Sequence, residues 1–84
     1  MLKAVIIDDE PDCVRLLALQ LKMYCPGVEV AGECTDSNEG LMKIKSLQPD
    51  LVFLDIEMPL MNGFQLLEKI GHIDFSLVFV TAYD

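Results

Sequence analysis

The sequence is poor in positive charge, in histidine and in paired cysteines. Its 84 residues include six Lys and Arg against 14 Asp and Glu, so the formal net charge is -8. Because nucleic-acid backbones are bound through clustered Lys and Arg, the segment is not expected to bind nucleic acid directly. The single histidine, His72, stands alone, and Cys13, Cys25 and Cys34 are irregularly spaced without a CxxC pair. A zinc site is therefore not expected.

Long hydrophobic runs are also missing. The apolar run of residues 4–7 is too short for a signal peptide, and no stretch reaches membrane-spanning length. The cysteine pattern fits a cytoplasmic chain whose thiols stay reduced. The sequence has neither a glycine-rich phosphate loop nor a nucleophilic Ser–His or Cys–His pair. The apolar fraction of 52% is high for so short a chain, so either the core is efficient or some apolar surface serves a partner.

What the sequence does contain is a regular alternation of short apolar runs and amphipathic segments. Strands are predicted over residues 3–8, 28–33, 50–55 and 75–82, and helices over residues 11–24, 36–48 and 62–71. This βαβαβαβ order is typical of one α/β domain with a doubly wound parallel sheet.

Capping signals and helical spacing define the helices further. Asp36 with Glu39, and Asn62 with Gln65, have the spacing of capping boxes. Gly40 is expected to weaken the second helix by about 1 kcal/mol relative to Ala. The residues predicted to form the apolar helix faces are Val14, Leu17, Leu21 and Tyr24, then Leu41, Ile44 and Leu47, then Phe64, Leu67 and Ile70.

Acidic and hydroxyl side chains stand at the carboxyl ends of three predicted strands. Asp8 and Asp9 end the first strand, Asp55 the third and Thr81 the fourth. Open parallel sheets bind ligands at this edge, so neighbouring strands would bring the groups together. Clustered carboxylates repel one another unless a cation joins them, and hard oxygen ligands suit Mg²⁺. A carboxylate can itself be the nucleophile in phosphoryl transfer, and Asp55 is the candidate.

Four segments together resemble the receiver domains of bacterial response regulators, which have a flavodoxin-like fold. The segments are residues 7–10 (IDDE), 50–59 (DLVFLDIEMP), 61–63 (MNG) and 80–83 (VTAY). They occur in the family's order and with its spacing, so the resemblance extends over the whole chain.

The resemblance implies roles for particular residues. Asp55 would be phosphorylated by a sensor histidine kinase. Asp9 and Asp55 would bind Mg²⁺ directly together with the backbone carbonyl of Glu57, and Asp8 would act through metal-bound water. Thr81 would donate a hydrogen bond to the phosphoryl group and shift on activation.

The chain departs from the family at its end. Complete receivers continue with a helix, a fifth strand bearing a lysine, and a final helix, so residues 1–84 are expected to form an incomplete receiver domain. The ending, residues 81–84, resembles regulators with a LytTR-type DNA-binding output domain.

Without a fifth strand, residues 75–83 would form an exposed apolar edge. A homo-oligomer is therefore expected, through this edge or by exchange of elements.

Two other functions remain open. One is a self-associating receiver fragment that is not phosphorylated. The other is a phosphatase with an aspartyl nucleophile, although haloacid-dehalogenase-type enzymes carry a second Asp two residues after the nucleophile, where this chain has Glu57. The chain is therefore expected to be a phosphoacceptor regulator, not a turnover enzyme.

Overall fold

A computed structural model describes residues 1–59 and 61–80, in which strands and helices alternate. The elements are β1 (Leu2–Ile7), α1 (Pro11–Tyr24), β2 (Val28–Cys34), α2 (Ser37–Leu47), β3 (Leu51–Asp55), α3 (Gly63–Ile70) and β4 (Ser76–Val80). Each boundary that falls on these residues lies within two positions of the sequence prediction. The predicted continuation of β4 beyond Val80 lies outside the described residues.

All four strands pair in parallel in the order β2-β1-β3-β4. The central strands β1 and β3 carry uninterrupted apolar runs because helices cover both sheet faces. Ile7 lies opposite Leu54, so β1 and β3 end at the same edge. The α/β, flavodoxin-like prediction is confirmed. In the described part of the chain, no helix combines the length and apolar character needed to cross a membrane.

Two apolar layers hold the helices to the sheet. Alternate residues of a strand point to opposite faces, so Ile6 packs with Val14 and Leu21 of α1. The opposite face packs against α2 and α3. Its buried members are Val5, Ile7, Cys34, Ile44, Val52, Leu54, Met58, Met61 and Leu66.

The predicted helix faces are correct at most positions and wrong at two. Tyr24, the last residue of α1, is 74% exposed. On α3 the fully buried residue is Leu66, whereas Phe64 is 55% exposed. The Phe64 ring instead lies against Phe79 of β4, with ring centroids 5.4 Å apart. Two helical turns contain too few residues for spacing alone to fix the buried face.

The start of α2 differs in detail from the predicted capping box. Asp36 is the N-cap and accepts a hydrogen bond from the backbone N–H of Asn38 at 3.1 Å. Glu39 accepts from the N–H of Thr35 at 3.3 Å, one residue before the position that a capping box requires. The box predicted at the start of α3 is complete.

Gly40 has a packing role that its helix propensity conceals. A Cβ atom at Gly40 would lie 2.6 Å from Cδ1 and 2.9 Å from Cγ1 of Ile7, which is fully buried. The missing side chain therefore allows α2 to lie directly on β1, next to the strand end that carries the acidic residues.

Candidate functional site

Three carboxylates meet at the carboxyl edge of the sheet. Asp8 and Asp9 follow β1 and Asp55 ends β3, and one ligand atom from each lies within 4.8 Å of the other two. Asp8 is buried, and Asp9 and Asp55 are half-buried. Parallel pairing of the central strands creates this proximity between residues about 46 positions apart.

Backbone hydrogen bonds fix Asp8 at the junction of β1 and α1. Its N–H donates to the carbonyl of Cys34 at 3.0 Å, and its Oδ1 accepts from the N–H of Glu10 at 2.9 Å. Pro11 then begins α1, where its missing N–H costs no helical hydrogen bond. The acidic pair therefore stands at the helix N-terminus, where the macrodipole favours negative charge.

The environment of Asp55 disfavours its charged form. The pKa of Asp55 is raised from 3.8 to about 6, mainly by burial and in addition by the negative charges of Asp8 and Asp9, while a hydrogen bond from the Glu57 N–H opposes the rise. That N–H lies 3.2 Å from Oδ1 of Asp55. At neutral pH the cluster is therefore an anionic group whose members repel one another.

The geometry and chemistry of the cluster suit a small divalent cation. Mg²⁺ prefers oxygen ligands at about 2.0–2.1 Å in an octahedron and usually keeps several waters. Oxygens within 4.8 Å of one another need only a small side-chain adjustment to share one ion. A bound cation would also offset the repulsion that raises the pKa of Asp55.

The loop between β3 and α3 is held from both ends. The N–H of Gly63 donates to the carbonyl of Ile56 at 2.9 Å. At the α3 end of the loop, Asn62 and Gln65 form a capping box with both hydrogen bonds at 2.9 Å. The side chains of Met58 and Met61, on this loop, are buried in the core.

Ser37 is a contact of this loop that the sequence pattern did not reveal. It lies at the start of α2 and is 3% exposed, and its hydroxyl donates to the carbonyl of Met61 at 2.7 Å. The two residues are 24 positions apart in the sequence. A serine that follows an N-cap aspartate is also common at helix starts, so its presence did not indicate this contact. Only the packing of α2 beside the loop identifies the contact.

For Glu57 and Thr81, the other two predicted site residues, the structure gives less information. Glu57 is exposed on the loop, and its N–H donates a hydrogen bond to Asp55. Its carbonyl as a metal ligand stays a prediction. Thr81 lies outside the described residues. Val80, which precedes it, pairs with Asp55 in the sheet.

Comparison with known proteins gives consistent matches over nearly the whole chain. Residues 4–84 match the family model of the response regulator receiver domain. The chain is 43% identical to an uncharacterised response regulatory protein of Yersinia pestis and 39% identical to the transcriptional regulatory protein BtsR of Escherichia coli. Both alignments include 100% of this chain and 35% of the relative. The chain thus spans about a third of the length of these relatives.

Solved structures agree with the sequence matches. The signal receiver domain of NarL from Mycobacterium tuberculosis superposes with a TM-score of 0.78 at 28% identity, covering 99% of this chain and 68% of that one. The N-terminal domain of a Wolinella succinogenes protein gives a TM-score of 0.82 at 26% identity, covering 100% and 67%. A LuxR-family regulator of Staphylococcus aureus, at 23% identity and a TM-score of 0.89, shares the fold.

Proposed function

The chain belongs to the response regulator receiver domain family, and we propose that it accepts a phosphoryl group from a sensor histidine kinase on Asp55. Family membership supports a role in two-component signal transduction. The observation that carries the specific proposal is the convergence of Asp8, Asp9 and Asp55 at the sheet edge. The raised pKa of Asp55, about 6, still leaves it mainly ionised at neutral pH.

The proposed reaction is a single displacement at phosphorus. One Asp55 carboxylate oxygen forms a bond to the phosphorus of a kinase phosphohistidine. The P–N bond breaks, and its electron pair returns to the imidazole nitrogen. The Glu57 N–H donates to Oδ1 of Asp55. Oδ2, which does not accept this hydrogen bond, is proposed as the attacking oxygen. Partial burial limits hydration of the carboxylate.

Mg²⁺ is the proposed cofactor. Asp9, Asp55 and the backbone carbonyl of Glu57 would hold it, and Asp8 would contact it through water. When bound, Mg²⁺ offsets negative charge between the incoming phosphoryl group and the nucleophile. The Thr81 hydroxyl is proposed to donate a hydrogen bond to the phosphoryl group.

The test is intact-mass spectrometry after incubation with acetyl phosphate and Mg²⁺. The parent chain is expected to gain one phosphoryl group, and Asp55→Asn is expected to gain none. Asp74→Asn serves as the control because Asp74 is an exposed aspartate just before β4, at the opposite edge of the sheet. If the folded parent gains no adduct, the residues do not form a working phosphoacceptor site.

The proposed setting is the cytoplasm, with a sensor kinase as partner and without direct nucleic-acid binding by this segment, whose net charge is -8. The relative BtsR is called a transcriptional regulatory protein. By that likeness, we propose that the segment serves in a regulator of transcription. A LytTR-type output domain is proposed separately, from the resemblance of residues 81–84. Slow, non-catalytic loss of the phosphoryl group is expected. Continuous turnover of a phosphomonoester would instead support the phosphatase alternative.

Self-association of the 84-residue chain is a second proposal. Among the described residues, β4 is the outermost strand of the sheet and pairs with β3 along one side. Its Val78 and Phe79 are 41% and 38% exposed. An apolar edge strand is a template for pairing with another chain, so we propose a homo-oligomer joined through β4. If the same chain took up no phosphoryl group, it would act only as a self-associating fragment.

A further inference from the structure

The loop that follows Asp55 has an anchor outside the sheet. Ser37 Oγ donates to the carbonyl of Met61 at 2.7 Å and lies 3.7 Å from the sulfur of Met58. All three residues are buried. A serine hydroxyl has one proton to donate, and the short distance assigns it to the Met61 carbonyl. The thioether then packs against the same hydroxyl.

The anchor sits on a helix that is itself fixed to the sheet. Ser37 is the first residue of α2, directly after the N-cap Asp36. One turn further along, Gly40 lies so close to Ile7 that the helix backbone rests on β1. Ser37 therefore links the loop, through α2, to β1, the strand that ends at the acidic pair. The start of α2 thus contacts both the strand before Asp8 and Asp9 and the loop after Asp55.

The loop contacts lie next to the peptide group that faces Asp55. The Glu57 N–H donates to Asp55, and the Glu57 carbonyl carbon is bonded to the nitrogen of Met58. Holding Met58 and Met61 in place therefore restricts rotation of the Glu57 peptide. If this loop were free, metal binding would have to order it, and that ordering would weaken the affinity.

We propose that Ser37 is a positioning residue for the cation site, acting through Met61 and Met58 on the Glu57 peptide. The inference rests on the proposed function, because it requires that the site bind Mg²⁺. It assigns to Ser37 an effect on metal affinity. The rate of phosphoryl transfer at saturating Mg²⁺ should change little, because Ser37 touches none of the reacting atoms.

The test is titration of the full 84-residue chain with MgCl₂ by calorimetry, together with rates of phosphorylation by acetyl phosphate across Mg²⁺ concentrations. Ser37→Ala is expected to raise the Kd for Mg²⁺ about 3- to 10-fold, the size of effect that loss of one supporting hydrogen bond gives. Its rate at saturating Mg²⁺ should approach that of the parent. Ser46→Ala should leave the Kd unchanged, because Ser46 is exposed on the same helix and its hydroxyl donates to the carbonyl of Lys43 within its own turn.

A second variant separates the hydrogen bond from the volume of the side chain. Ser37→Cys nearly preserves the size, but a thiol is a weak donor, so its Kd should resemble that of Ser37→Ala. Recovery of the parent Kd by Ser37→Cys would overturn the proposal, as would an unchanged Kd in folded Ser37→Ala. If the parent itself bound no Mg²⁺, the proposed function would fail together with this inference. Binding by the parent with no effect of Ser37 would remove the inference alone.

Discussion

At the scale of single residues, the raised pKa of Asp55 reflects its burial first and the nearby charges of Asp8 and Asp9 second. Its value of about 6, against 3.8 ordinarily, means that the folded state holds a proton more tightly than the unfolded state does. Folding then takes up protons between these two values, so stability falls as pH rises through the window and stays lower above it. The metal-free protein therefore keeps a destabilising charge at neutral pH.

Replacing this carboxylate by an amide should therefore stabilise the metal-free chain. Asp55→Asn is expected to raise the free energy of unfolding at pH 7 by about 1 kcal/mol, after allowing for solvent screening at a half-buried group. Between pH 4 and 6 the advantage over the parent should shrink as pH falls. Urea unfolding with EDTA measures both effects, and Asp74→Asn is the control. A constant difference across pH would mean that Asp55 does not titrate as described.

Gly63 is a second single-residue determinant of the site. A Cβ at this position would lie 2.9 Å from the carbonyl oxygen of Asp55 and 3.2 Å from Cα of Ile56. Both neighbours are backbone atoms, so the chain that carries the phosphoacceptor would have to move.

Gly63→Ala is expected to cost about 1–3 kcal/mol of stability, as other overpacked substitutions do, and to slow phosphorylation by acetyl phosphate. Gly27→Ala is the matched control because no atom lies within 4 Å of its added Cβ. Urea unfolding and intact-mass time courses measure the two effects. Parent-like behaviour in both assays would show that the loop accommodates a methyl group.

At the scale of elements, the placement of α2 on β1 depends on one close approach. Helix propensity alone favours Ala over Gly by about 1 kcal/mol. Packing opposes this preference, because a Cβ at Gly40 would come within 3.1 Å of three carbons of Ile7. Ile7 has no room to turn away, since it is fully buried.

Packing is expected to outweigh propensity in Gly40→Ala. The substitution should destabilise the chain by about 1–3 kcal/mol, measured by urea unfolding. Ile7→Val removes Cδ1, the nearest atom, so the double variant Gly40→Ala/Ile7→Val should cost less than the sum of the two single changes. Additive costs would mean that the clash is relieved elsewhere.

At the scale of the whole molecule, charge and exposed apolar surface act in opposite directions. A net charge of -8 keeps copies of the chain apart. The exposed side chains of β4 favour pairing, and the same strand lies next to the proposed phosphoacceptor, since Val80 pairs with Asp55. Association through β4 should therefore depend on the charge and hydrophobicity of the exposed β4 side chains.

A charge on this edge should prevent association. Val78→Lys places a cation on an edge strand, a device that natural sheets use against pairing, and it should lower the mass measured by light scattering to that of a monomer. Leu19→Lys is the control, because Leu19 is exposed on α1 instead. An oligomer that persisted in Val78→Lys but dissociated in Leu19→Lys would place the contact on α1.

Much of this protein was determined by the sequence itself. The element order, the helix starting at Pro11, the complete capping box of α3 and the acids at the strand ends depend on short-range patterns, which act between neighbours in the chain. Repeated alternation of strand and helix then leaves few topologies open. For that reason, the proximity of Asp8, Asp9 and Asp55 could be predicted before the structure was known.

The tertiary structure decided what depends on contacts between distant residues. The buried face of α3, with Leu66 inside and Phe64 against β4, follows from how a two-turn helix settles on the sheet. The raised pKa of Asp55 requires burial and two facing charges, and the bond from Ser37 to Met61 joins residues 24 positions apart. These features arise from close packing, which local sequence patterns do not encode.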